Sequence, residues 1–460
     1  VPAPDAWKTQ LPWQPAAPKD SIPKGEWWTI FHDVQLNGYE QQLLTANPSL
    51  AAARDNLEQA RSLARVASAD FFPQFSTDPN GLRQRISGNR QLSGATPPLY
   101  PMSQGVYNIP FSLNYEADLF GSVRSGMRAA NATLQATAAD LQNAQLVLTA
   151  ELAADYFSLR ELDAEMQVVQ ASVEIEQKGL DLVNRRHDGG IASGLEVAQQ
   201  ASLLDGTKTQ LSLVEQQRKQ YEHAVAVLTG NTPSNFSVPP SALNGEPPPI
   251  PAGVPSDLLE RRPDIASAER TVAYENAQVG IARSAFYPRL SLTNSGGFQS
   301  RDISTLLTAP SAVWTVGGDL LQPIFSGGRN HANLAAAKAA YDSAAENYRQ
   351  SVLTAFQQVE DSLSGLDTLA RAAATQAAAV QDSQHALDIA NNRYVGGVTN
   401  YLDVITAQAT LLTNQRLAVQ LLGQRMVTSA YLVKALGGGW EASELEKEQV
   451  HPRVRQAIQQ

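Results

Sequence analysis

The chain has 460 residues, 43% of them hydrophobic, a formal net charge of −10 and no cysteine. Its length allows two or three ordinary domains or one large one. The negative charge argues against a nucleic-acid partner, the missing cysteines exclude disulfides, thiolate metal sites and a cysteine nucleophile in these residues, and no run of about 18 apolar residues offers a transmembrane helix.

The start, Val1-Pro2-Ala3-Pro4-Asp5, has neither the basic nor the apolar stretch of a leader peptide. Composition leaves a cytosolic chain and a mature or trimmed form both open. Residues 1–36 read as an extended segment. A helix is expected over about 37–70, stopping before FFPQFS (71–76), because proline cannot continue a helix and pushes its predecessor toward extended geometry. NIPFSLNYEADL (108–119) then alternates: Ile109, Phe111, Leu113, Tyr115, Ala117 and Leu119 face one way, Asn108, Pro110, Ser112, Asn114, Glu116 and Asp118 the other. This is a strand over 106–119 with one apolar and one polar, acidic face. Its partner is expected over 74–90, where Pro79 and Gly81 interrupt, joined by the polar turn GNRQLSGATPPLYPMSQG (88–105). Leu152, Leu159, Met166, Val173 and Leu180 recur every seventh residue in a proline-free stretch, predicting a coiled-coil helix over 122–186. Gly189-Gly190 marks a turn, and a return helix follows over 194–229. The segment 231–255, rich in Pro, Ser, Asn and Gly, reads as an extended linker.

The second half repeats the first in the same order. NPSLAAARDNLEQARSLARVASADFFPQFS (47–76) matches RPDIASAERTVAYENAQVGIARSAFYPRLS (262–291), LFGSVR (119–124) matches IFSGGR (324–329), and RRHDGGIASGLEVAQQASLL (185–204) matches NRYVGGVTNYLDVITAQATL (392–411). The offset stays between about 205 and 215 residues, far above the period of about 20–50 residues typical of solenoids. The chain is therefore a duplication, with repeats at 37–230 and 256–437. The second is expected to hold a helix at 256–285, strands at 289–300 and 312–322, a long helix at 329–394 and a return helix at 400–436, with a tail at 438–460. Trp314, Val316, Gly318 and Leu320 form its apolar row opposite Thr315, Gly317 and Asp319; Val359, Leu366, Ala373, Val380 and Leu387 carry the seven-residue period, and Gly396-Gly397 the turn.

Four amphipathic strands cannot close a barrel in lipid, which needs at least about eight and no open edge. If they are membranous, several chains must pool them. Ile109, Phe111, Leu113, Tyr115, Trp314 and Val316 would then face lipid, and Asn114, Glu116, Asp118 and Asp319 a water-filled lumen. The helices are too polar for lipid. The object that fits is a symmetric tube, a β-barrel continued by a helical barrel.

The FFPQFS/FYPRLS marks, the FGSVR/FSGGR turns and RYVGGVTNYLDVITAQ (393–408) resemble the TolC-like outer-membrane efflux duct family, and residues 27–50, WWTIFHDVQLNGYEQQLLTANPSL, resemble the opening of its lipoprotein branch, which serves resistance-nodulation-division (RND) pumps. The resemblance covers about 27–437. It implies an α+β membrane protein: a homotrimer whose strands form a twelve-stranded barrel in the bacterial outer membrane and whose helices form a twelve-helix periplasmic tunnel. It implies a periplasmic adaptor and an inner-membrane RND transporter as partners, alongside outer-membrane lipid, and export of drugs or other small toxic compounds. No cofactor is implied. The family's lipoproteins carry an N-terminal lipid on a cysteine behind a leader, and neither is in this sequence. The second turn, Gly396-Gly397, is implied to border the periplasmic gate, with Leu402 on an aperture-lining apolar position and Asp403 beside it. Three carboxylates around a threefold axis repel one another and attract cations; alternatively Asp403 only favours the dipole of its helix. Several members carry an acid where Thr406 stands, which argues against a double acidic ring. Arg393 and Tyr394 resemble a position that ties inner to outer helices by polar contacts, while Arg186 and Glu196, their first-repeat equivalents, are expected on the outer, adaptor-facing surface.

The six histidines, His32, His187, His223, His331, His385 and His451, show no metal-ligand spacing. There is no P-loop, GxGxxG or nucleophile elbow. Glu360-Asp361 read as a solvated coiled-coil surface and Gly437-Gly438-Gly439 as a flexible helix exit. The same fold also serves as a duct for type I protein secretion, the alternative reading. A soluble coiled-coil scaffold would leave the row Ile109/Phe111/Leu113/Tyr115 open to water, and an enzyme is a distant fourth.

Overall fold

The computed structural model describes residues 25–87, 102–243, 245–250, 261–440, 445 and 447–451. The remainder of the expected turn at 88–105, the end of the linker, the start of the helix at 256–285 and most of both terminal segments lie outside the described residues. The helices are α1 (Val34–Ala46), α2 (Pro48–Ala69), α3 (Ser122–Asp188), α4 (Gly194–Leu228), α5 (Pro263–Ser284), α6 (Arg329–Val395) and α7 (Tyr401–Ala435). The strands are β1 (Gln74–Thr77), β2 (Asn80–Ile86), β3 (Met102–Ala117), β4 (Arg289–Ser300) and β5 (Ala312–Leu321). At 67 residues each, α3 and α6 are about 100 Å long at 1.5 Å per residue.

Three local expectations are corrected. The segment before residue 37 is not wholly extended: Trp27–Phe31 forms a 3-10 turn, with Trp27 and Trp28 buried. The helix expected over 37–70 is two helices, because Pro48 lacks an N–H and holds Asn47 extended, at φ −69° and ψ 122°. Asn47 then opens α2, its Oδ1 accepting from the Leu50 amide at 3.0 Å. The first strand is likewise split, so the sheet has five strands rather than four. Asp78-Pro79 separates β1 from β2, both of which pair antiparallel with β3. By the register on either side, Ile109 and Pro110 face the gap, so proline on both strands removes ladder donors. Beyond β3 the order continues antiparallel through β4 to β5.

The compact units do not follow the repeats. One comprises residues 1–57, 137–268 and 348–446, the other 58–136, 269–347 and 447–460. Each draws on both repeats, and α3 and α6 belong to both. The second unit holds the whole sheet.

In the first unit the duplication is visible atom by atom. Return helix α4 ends at Gly230, φ +75°, and α7 at Gly437, φ +90°. A Cβ on Gly230 would lie 2.5 Å from the Ala46 carbonyl oxygen, and one on Gly437 would collide with that of Arg261. The next residue along, just before the proline, then takes a carbonyl of the helix end. Asn47 Nδ2 donates to Leu228 O at 2.8 Å, and Arg262 Nη1 to Ala435 O at 3.0 Å. Trp27, Trp28, Tyr156, Phe157, Val359, Leu363 and Leu432 pack into the adjoining core.

The linker is clamped by charge. Asp163 is buried between Arg160 and Arg218, at 2.7 and 2.6 Å, and also accepts from the Ser241 amide at 3.1 Å. The two arginines donate onward to the carbonyls of Pro239 and Val238, at 2.8 and 2.6 Å. Both oxygens of Asp163 are engaged, which meets the requirement for burying its charge, while Arg160 Nε is left without a partner. Glu40 differs: it is fully buried and neither oxygen has a partner. Burial holds its carboxyl well above the usual carboxylate range.

Two outcomes are expected. Gly437→Ala adds a side chain at positive φ against backbone and should cost about 2–4 kcal/mol, read as a fall in unfolding midpoint beside Gly206→Ala on the open face of α4. Glu40 keeps its proton in the folded chain but loses it in the unfolded chain above the ordinary carboxylate pKa of 4.5, so its contribution is fully present below that pH and lost as pH rises. Glu40→Met should therefore gain about 1–3 kcal/mol at pH 8, an advantage that narrows toward pH 4 in a denaturation series.

Candidate functional site

Both helical hairpins turn by the same device. Gly190 and Gly397 stand at φ +71° and +72°. The amides of Ile191 and Val398 donate back to Arg186 O at 2.8 Å and Arg393 O at 2.9 Å, closing Schellman motifs that only glycine adopts cheaply. The restarts differ. Ser193 caps α4, its Oγ accepting from the Glu196 amide at 3.3 Å. Asn400 makes no side-chain cap; instead the Thr399 hydroxyl donates to the Asp403 carboxylate. Asp403 is exposed in the first turn of α7, beside half-exposed Leu402 and exposed Thr406, whose hydroxyl donates to Leu402 O at 2.9 Å. The structure thus brings Leu402, Asp403 and Thr406 onto one exposed stretch.

Arg393 and Tyr394 part company. Arg393 is exposed, and its carbonyl serves the turn. Tyr394 is buried among Val183, Leu387, Tyr401 and Val404, its ring 4.7 Å from that of Tyr401, its hydroxyl without a partner. The Arg186 guanidinium of the first repeat lies over the Tyr394 ring at 4.4 Å. The tie between hairpins is therefore a cation–π contact from Arg186, not a polar contact from Arg393, and Arg186 faces the neighbouring hairpin. Behind it, Gln200 Nε2 donates to Glu176 O at 2.8 Å, and Tyr401 packs against Gly179, where a Cβ would sit 2.6 Å from the tyrosine oxygen. Burial, then Tyr394, Glu176 and Glu196, pushes the Tyr401 hydroxyl up to about 12. Neither Tyr401 nor Gln200 stands out in the sequence; the one signal is a pair of tyrosines flanking the turn.

Farther from the turn, Glu165 of α3 is buried against Arg416 and Gln420 of α7, the Arg416 Nε at 2.8 Å. Burial, then Glu165, pushes neighbouring Glu161 up to about 7.

In the sheet, register sorts the faces. Asn114 lies between Gln74 and Thr293, and Glu116 and Asp319 both lie opposite Ser291. On the other face Phe75 pairs with Leu113, Phe111 and Trp314 flank Gly296, Ile109 meets Phe298, Tyr115 meets Leu292, and Val316 meets Asn294. Trp314 is 79% exposed and Val316 71%. Asp118 leaves this pattern. It lies past the end of β3, accepts from the amides of Val123 at 3.2 Å and Arg124 at 2.9 Å, and pairs with the Arg124 side chain, so it is committed to starting α3.

His187 Nδ1 sits 2.9 Å from Ala192 O within its own turn, and His331 packs edge-on to Phe286. Asp361 accepts from Gln357 one turn away at 3.3 Å. Among the described residues no group of three acidic, histidine or cysteine side chains is placed to hold a metal, and no helix is long and apolar enough to cross a membrane.

The sequence pattern of the outer membrane efflux protein family matches residues 40–231 and 254–438. The pyoverdine export outer membrane protein OpmQ of Pseudomonas aeruginosa is 32% identical over 446 residues, 96% of this chain and 92% of its own. The toluene efflux pump outer membrane protein TtgC of Pseudomonas putida is 31% identical over 417 residues, 90% of this chain and 85% of its own. The Campylobacter jejuni CmeC outer membrane channel matches the fold with a TM-score of 0.89 at 26% identity, over 98% of both chains. With both repeats inside the family pattern and the fold shared end to end, the chain belongs to the outer membrane efflux protein family, and it is a TolC-like outer-membrane channel rather than an enzyme.

Proposed function

We propose that three copies of this chain form the exit duct of a tripartite RND-type efflux pump, carrying small toxic compounds from a periplasmic adaptor and an inner-membrane transporter to the exterior. The observation that carries the trimer is the sheet. Both faces of β5 are exposed along its whole length, and an apolar edge strand of 10 residues left open invites pairing. Pairing β5 of one copy with β1 and β2 of the next closes a barrel with the Trp314 face toward lipid and the Asn114, Glu116 and Asp319 face toward water. Strands of 10 to 16 residues meet the roughly 9–11 residues needed to span a bilayer. The cargo named for the relatives, pyoverdine and toluene, supports small molecules over protein secretion. Apolar Ile191, Leu195 and Val398, exposed at the turns, are suited to an adaptor.

The gate is the second hairpin. Leu402 narrows the aperture, Asp403 adds a ring of three carboxylates steadied by Thr399, and the Arg186–Tyr394 contact holds the hairpin against its neighbour.

Planar-bilayer recording of the purified protein tests this. Wild type should conduct weakly and prefer cations, and Asp403→Ala should raise conductance several-fold while lowering that preference; a pore indifferent to the change would move the gate elsewhere, and a protein that stays in solution without detergent and never inserts would end the membrane reading. Arg186→Ala removes a partly exposed cation–π contact of about 0.5–1 kcal/mol, and should raise open probability roughly twofold to fivefold per released hairpin.

A further inference from the structure

The hairpins are tied at two levels, and the ties differ in kind. At the turn, Arg186 rests on Tyr394 through a ring face, with the tyrosine hydroxyl unpartnered. Away from the turn, Glu165 of α3 is buried with both oxygens engaged: Oε1 by Arg416 Nε at 2.8 Å and Nη2 at 2.6 Å, Oε2 by Gln420 at 3.2 Å. Gln210 of α4 completes the guanidinium's shell, its carboxamide oxygen, in the orientation that satisfies both groups, accepting from Nη1, from Nη2 at 3.0 Å and from Nε at 3.2 Å. Arg416 therefore joins α3, α4 and α7, two helices of the first repeat and one of the second. Seven residues on, Gly423 lets α7 close on α3, since a Cβ there would sit 2.5 Å from Glu161 Cγ.

Separating the pair leaves the Glu165 carboxylate, 2% exposed, in a dry site with no partner. Lifting the partly exposed Arg186 guanidinium from a neutral ring leaves no buried charge behind, because water solvates the guanidinium. The tie at the turn yields first. Along α7, Tyr401 and Arg416 are 15 residues apart, about 22 Å at 1.5 Å per residue. We infer that Arg416 is the fulcrum of the gate, a positioning residue that confines opening to the hairpin between itself and the turn. The inference rests on the proposed gate.

The test is amide hydrogen exchange on the full-length assembled protein, with bilayer conductance measured in parallel. Four forms are compared: wild type, Arg186→Ala, the neutral pair Glu165→Gln/Arg416→Gln, and the combination of all three changes. The neutral pair leaves no buried charge behind. Arg186→Ala should speed exchange about twofold to fivefold over 183–195 and 390–405 and leave 417–435 at the wild-type rate. The neutral pair alone should match wild type at the turns and in conductance. In the combination, the fast exchange should spread past residue 416 and conductance should exceed that of Arg186→Ala at least twofold. Arg416→Lys with Arg186→Ala should restore confinement in part, which a general loss of packing would not do. Should the neutral pair fail to assemble, Arg416→Lys is read in its place, with a smaller spread in the same direction. A combination identical to Arg186→Ala overturns the fulcrum, as does a neutral pair that alone opens the turns as far as Arg186→Ala. Loosened turns with wild-type conductance would sink the gate reading, and the spread of exchange would still decide the fulcrum.

Discussion

Each repeat depends on one close approach. The chain leaves through a long helix, returns through a shorter one, and must end that return against the backbone from which it set out. Gly230 passes the Ala46 carbonyl and Gly437 passes that of Arg261, at distances no side chain would allow. Both glycines sit at positive φ, so they also close the return helices. The contact fixes where α4 and α7 stop, and hence the register in which they lie along α3 and α6. The tip cores and the cross-repeat ion pair hang on that register, because a slip of one residue rotates a helix face by about 100°. Asn47 and Arg262 then perform one task with unlike chemistry: a neutral amide and a guanidinium each satisfy a helix-end carbonyl.

That register also governs where charge is buried. Beside its apolar cores, the chain takes part of its interior specificity from buried charge. Asp163 with two arginines fixes the linker, and Glu165 with Arg416 fixes one repeat against the other. Both carboxylates have each oxygen engaged, the condition under which a buried acid holds geometry without a large penalty. Glu40 lacks that condition and is a point of weakness in the same unit.

How much of the fold is legible in the sequence depends on the range of the forces involved. Pro73 and Pro288, Gly190 and Gly397, and the seven-residue rows from Leu152 and Val359 act through their own backbone or their own helix, and the sequence displays them directly. The strand faces are also legible, since parity is local. The break at Asn47 is not, because the apolar pattern of Leu43, Leu44 and Leu50 runs on across it. Asp118 continues the alternation of β3 in sequence but is taken by the amides of α3. The ties across the repeats, Arg186 to Tyr394 and Glu165 to Arg416, join residues some 200 or more positions apart, and nothing at either end announces the other. Arg393 looks like the tie in sequence because it precedes the turn, as Arg186 does. In a duplicated chain both arginines stand three residues before a Gly-Gly turn, and packing distinguishes their roles.

That asymmetry bears on the proposal that the second hairpin, and not the first, is the gate. The turns themselves are equivalent, down to a degree in φ at Gly190 and Gly397. The helix starts beyond them are not. The first restart is capped by Ser193 on the Glu196 amide and locked by the His187 ring on Ala192 O, so its free groups are consumed within the turn. The second leaves Asn400 without a side-chain cap and places a carboxylate, steadied by one hydroxyl, at the surface. Duplication preserved the backbone geometry, which glycine enforces. It left the side chains free to diverge, one hairpin toward self-satisfaction and the other toward a group whose charge acts on whatever passes. In the proposed trimer there are six turns of one shape but only three that present this acid, which would make a threefold gate inside a pseudo-sixfold wall.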